Sequence, residues 1–180
     1  MKLRLFALAL FLASSMPATA APIDKIAGWS IYRNEDNCSA YSVFSNNELF
    51  GIAYDASDRS TKIVFTNADA KSLDEGDTRT IDIYLKRADG TIDNSREGTE
   101  FTLGVDSDGS RVFVSRNLAE PALADLKNAT AIVLFYKDRK IAAYNLAGTA
   151  AALSAVERCS MKVHHIDPKD VFAGESSGDS

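Results

Sequence analysis

The chain has 180 residues, 20 basic and 25 acidic, with a formal net charge of −5 and 46% hydrophobic content. That balance argues against a nucleic-acid binder or an adhesin for anionic lipid, since both need clustered Lys and Arg. The length suits one domain with a real core.

The first twenty residues read as an export signal. Lys2 and Arg4 give a positive start, Leu5 to Leu12 an apolar stretch, and Ala18-Thr19-Ala20 a small-x-small cleavage site after Pro17. The apolar stretch is far short of the roughly 20 residues that span a bilayer, and its flanks suit a cleaved signal. The expected organisation is a signal peptide over 1–20, a single globular domain over 21–160 and a flexible tail over 161–180. Removing Lys2 and Arg4 leaves 18 basic against 25 acidic residues, a net of −7. The expected location is periplasmic or secreted, with no membrane span in the mature chain. A bacterial periplasm is the simpler destination. Eukaryotic secretion would make Asn37-Cys38-Ser39 and Asn128-Ala129-Thr130 glycosylation acceptors instead.

Alternation of period two then runs from Trp29 to Ser115. Trp29 and Ile31 oppose Ser30 and Tyr32; Ile81, Ile83 and Leu85 oppose Thr80, Asp82, Tyr84 and Lys86; Phe101, Leu103 and Val105 follow, then Val112 and Val114. Half-buried antiparallel strands leave this signature, one face packed and the other wet. Asn46-Asn47, Asp55 to Asp58, Asp89-Gly90 and Asp108-Gly109 mark the turns between them. Ala131 to Tyr136 is unbroken apolar sequence and reads as a central strand covered on both faces. It turns at Lys137 to Lys140 into a partner over Ile141 to Leu146.

Two short helices are expected. The first lies near Leu118 to Asn128, opened either by an Asn117/Glu120 capping box or at Pro121. The second spans about Ala150 to Cys159, with Thr149 as N-cap and Arg158 near the last carbonyls. Ala152, Val156 and Cys159 share one of its faces, which points Cys159 inward. The fold class is therefore mainly β with some helix (α+β): an antiparallel β-sandwich or bent sheet with two short helices. Cys38 and Cys159, exported together, are expected to form one structural disulfide. Their separation is unlike the close Cys-x-x-Cys pair of redox catalysts.

Each candidate chemistry meets a plainer explanation. Gly174-Glu175-Ser176-Ser177-Gly178 matches the hydrolase Gly-x-Ser-x-Gly string, but no His follows it and no strand precedes it. His164 and His165 join Cys38 and Cys159 as four donors of zinc-binding type, yet oxidised sulfurs do not ligate as thiolates. Asp106-Ser107-Asp108-Gly109-Ser110 resembles the start of a calcium loop, but its twelfth position is Asn117 rather than Glu, and a hairpin turn explains it. No carboxylate pair stands in an apolar setting, and Asp82 sits on the polar side of its strand. No catalytic residue, metal or cofactor is expected. The aromatics are more telling: Trp29, Tyr32, Tyr41, Phe44, Phe50 and Tyr54 crowd the first strands. Most belong to the core, and Tyr32, Tyr41 and Tyr54 are the candidates for a wet binding surface.

Gly28-Trp29-Ser30-Ile31-Tyr32 with Cys38 opens the domain; Asn145-Leu146-Ala147-Gly148-Thr149-Ala150-Ala151-Ala152-Leu153, Ala155-Val156 and Cys159 close it. Together these segments resemble a group of small exported proteins of Gram-negative bacteria. The closing segment is similar to that of the invasion-associated locus B family, although Thr149 stands where that family usually carries an aromatic residue. The resemblance implies a periplasmic or outer-membrane-associated protein linked to host-cell invasion, and it transfers no catalytic residue. The expected function is a non-enzymatic envelope domain that binds a protein or small ligand. An inhibitor-like or carbohydrate-binding module is the alternative, and a carboxylate-based hydrolase comes third.

Overall fold

Ten strands build a single antiparallel sheet. The computed structural model describes residues 21–45, 47–106 and 108–167, without the side chains of Asn94 and Ser95. The expected signal, the Gly-x-Ser-x-Gly string and the tail from 168 onward lie outside the described residues. The strands are β1 (Asp24–Ile26), β2 (Trp29–Arg33), β3 (Cys38–Val43), β4 (Leu49–Asp55), β5 (Ser60–Thr66), β6 (Thr78–Arg87), β7 (Ile92–Val105), β8 (Arg111–Ser115), β9 (Ala129–Tyr136) and β10 (Arg139–Asn145). Helix α1 (Ala122–Asn128) precedes β9, and α2 (Thr149–Val163) follows β10. Across the sheet the order is β1-β2-β3-β4-β5-β8-β7-β6-β9-β10. The mainly-β architecture with two helices and one disulfide is thus present, as an open and strongly bent sheet.

The alternation in the sequence sets the inner face. Trp29, Ile31, Phe50, Ile52, Ile63, Phe65, Ile81, Ile83, Leu85, Phe101, Leu103, Ile132 and Leu134 are all buried there. Curling brings the far end of the sheet back onto its beginning. Tyr144 of β10 stacks on Phe50 of β4 with centroids 4.7 Å apart, and the Trp29 indole N–H donates to the Ala147 carbonyl at 3.2 Å. Right-handed strand twist accumulated over ten strands makes such a return possible. Strand β9 has one buried face, and its other face (Ala131, Val133, Phe135) is half-exposed. The expected cover on both sides is therefore absent among the described residues, because both helices pack elsewhere: α2 on β2, β3 and β4, and α1 on α2, β5 and β6.

Helix α1 begins at Ala122 with Pro121 in the N-cap position, so the Asn117/Glu120 capping box does not form. Leu118 is still extended at that point, exchanging two backbone hydrogen bonds of 2.9 and 2.8 Å with Thr61. Asn117 turns away and donates to Asp58. Helix α2 is capped by Gly148 at φ +80°, not by Thr149, whose side chain is buried one residue later. A Cβ at Gly148 would lie 2.5 Å from the Ala27 Cβ and 2.8 Å from the Ala27 carbonyl oxygen, so only glycine fits this entry.

The helix also runs four residues past Cys159, to Val163, which leaves Arg158 in its body and Lys162 in its last turn. Ile166 then donates its N–H to the Met161 carbonyl at 2.8 Å and packs against the core with Met161 and Val163. Packing against the core accordingly continues through Ile166, past the position 160 at which the domain was expected to close.

Cys38 on β3 and Cys159 on α2 are bridged, with Cα atoms 5.9 Å apart and 121 positions between them in sequence. Lys127 and Glu157, at 2.6 Å, add a second tie, between the two helices. No helix among the described residues is long and apolar enough to cross a membrane.

Candidate functional site

The outer face of the sheet is built by the residues between the core positions. Register places Tyr41, Gly51, Val64, Val114 and Thr102 side by side across β3, β4, β5, β8 and β7. A second row, two residues along each strand, holds Val43, Leu49, Thr66, Val112 and Gly104; the Leu49 N–H donates to the Thr66 hydroxyl at 2.8 Å. Neither row carries a charge, in a chain where a quarter of all residues are charged. Val43 is 67% exposed at its rim.

Tyr41 is the centre of this surface. Its ring lies across Gly51, where any side chain would overlap it. Glycine in a strand interior leaves a gap, and a cross-strand aromatic that fills the gap restores packing. Tyr32 meets Tyr41 edge-on, with centroids 5.8 Å apart and ring planes at 72°. Burial among these neighbours pushes the Tyr41 hydroxyl above its ordinary value of 10.0. Both rings remain partly exposed.

Tyr54, the third residue expected on this surface, lies on the other side. It is 4% exposed, in phase with Phe50 and Ile52 on the inner face of β4, and burial raises its hydroxyl pKa. The physical reason is strand phase: Ile52 and Tyr54 share a face, whereas Gly51 and Ala53 share the opposite one. Tyr32 and Tyr41 are thus brought together and Tyr54 is separated from them. Sequence reading missed Val64 as a member of the outer row, and it set Val112 and Val114 on the packed side of their strand, where Phe113 lies instead. The signal for Val64 was the consecutive Ile63-Val64-Phe65, which must present apolar groups on both faces of a strand.

The remaining candidates fall into structural roles. His164 is half-buried: its Nε2 lies 2.6 Å from the Asp36 carbonyl and 3.0 Å from the Asp55 carboxylate, which pins the end of α2 to the β2–β3 connection and the end of β4. His165 stays on the surface. Asp106 to Ser110 closes the β7–β8 hairpin through Asp106 N–H to Ser110 and Gly109 N–H to Asp106. The Asp108 carboxylate, held by the Ser110 backbone N–H, is kept below the usual carboxylate range. Asp82 accepts the Gly98 N–H at 2.7 Å at the bulge between β6 and β7.

Two shallow depressions, of about 10 and 40 Å³, are both far below the usual size of a small-molecule pocket. The first is an apolar dimple beside α1; the second is polar, between Asn37, Asp55, Lys62 and Asn117. Among the described residues no three His, Cys, Asp or Glu side chains group as metal ligands. Compared with protein families, with curated proteins and with solved structures, the chain finds no match.

Proposed function

We propose that this chain is an exported, non-catalytic binding domain of the cell envelope, and that it engages a protein partner through the outer face centred on Tyr41. The observation that carries the reading is the pair of uncharged rows, with partly exposed tyrosines and the exposed Val43, on a chain of which a quarter is charged. Protein interfaces have the same character: charge is depleted at their centre and aromatics are enriched. The disulfide is compatible with an oxidising compartment, and the resemblance of the closing segment to the invasion-associated locus B family supports the same setting.

A protein partner fits better than a sugar. Carbohydrate platforms offer the flat side of an aromatic ring, whereas here Tyr41 covers Gly51 and Tyr32 stands nearly perpendicular to it.

The test compares wild type with Tyr32→Ala and Val43→Asp as baits in envelope extract, each first shown to melt like wild type. Loss of the same captured protein by roughly tenfold in both variants, about 1.4 kcal/mol of binding, is the expected result. Equal capture by all three would overturn the reading.

A further inference from the structure

We draw no further inference here: the strongest candidate, the outer side of β6, β7 and β9 with the exposed Ile92 and the half-exposed Tyr84, Val133 and Phe135, is an apolar patch interspersed with Lys86, Asp82 and Lys140, and nothing in the structure shows what covers it.

Discussion

Reducing the Cys38–Cys159 bridge without replacing either residue isolates one quantity, the conformational freedom of the loop it closes. The bridge spans 121 positions. In the chain-entropy description, a loop of that length removes about 5 kcal/mol of denatured-state entropy at 25 °C. Whole domains are stable by roughly 5–15 kcal/mol, so reduction should remove a third or more of the total. For a domain of this size, each kcal/mol moves the melting temperature by about 2–4 °C, and the expected drop is therefore roughly 10–20 °C.

Urea unfolding of the oxidised and the reduced protein, with thiol content verified by mass, measures the difference directly. Replacement separates loop entropy from packing. Cys159→Ser, at a half-buried position, should lie close to the reduced wild type. Cys38→Ser should be worse by a further ~1–3 kcal/mol, because Cys38 is fully buried and serine brings a hydroxyl there. A loss below about 1.5 kcal/mol on reduction, with both sulfurs shown free, would refute the reasoning. The rolled sheet and the helix contacts would then hold the ends together without the covalent tie.

Gly51→Ala should destabilise by about 1–3 kcal/mol through collision with the Tyr41 ring, and should become nearly neutral in a Tyr41→Ala background; an equal cost in both backgrounds would dissolve the pairing. Gly148→Ala should cost about 2 kcal/mol or more, since it strains φ and drives a methyl into Ala27, and urea midpoints read the loss. At alkaline pH the buried tyrosines set the trend. Tyr54 and Tyr144, 4% and 2% exposed, have hydroxyl pKa values raised above 10.0 by burial, so the unfolded chain ionises first. Their stabilising effect is complete below about pH 10 and is lost above it at up to about 1.4 kcal/mol per pH unit each. Tyrosinate absorbance of the folded protein should lag behind that of the unfolded chain, and coincident titrations would contradict it.

Much of this fold was legible because its strands are amphipathic. Ile81, Ile83 and Leu85 face the core as their spacing requires, and Asp89-Gly90 and Asp108-Gly109 turn where turn chemistry predicts. The alternation of Trp29 and Ile31 with Ser30 and Tyr32 also holds, with the first pair buried. What local pattern does not contain is pairing between distant segments. Leu118 looks helical from its neighbours, but β5 recruits it into a bridge with Thr61. Thr149 is a good N-cap residue by type, but contact with Ala27 from the other end of the chain makes Gly148 the cap. The end of α2 was misplaced because the Gly- and Ser-rich segment beyond it masked the apolar spacing of Met161, Val163 and Ile166. Tyr54 was misjudged by counting aromatics rather than following the phase of its strand.

The arrangement of helices explains why the proposed binding surface falls on the outer side of β3 to β8. A bent sheet has one concave side to fill, and its own first and last strands fill only part of it. Helix α2 completes the filling against β2, β3 and β4, fixed there by the disulfide, and α1 wedges between it and β5 and β6. Both helices are thereby spent on the inner face, and the described structure has no element left to cover the outer one. A monomer that only needed solubility would place charge on those positions, as β6 does at Lys86 and β10 at Lys140. Across β3, β4, β5 and β8 the same positions hold Tyr41, Gly51, Val64 and Val114 instead. Charge has been kept off these two rows, which no described element covers, and the proposed partner surface gives the exposed Val43 and the half-exposed tyrosines a role that the packing of the domain does not.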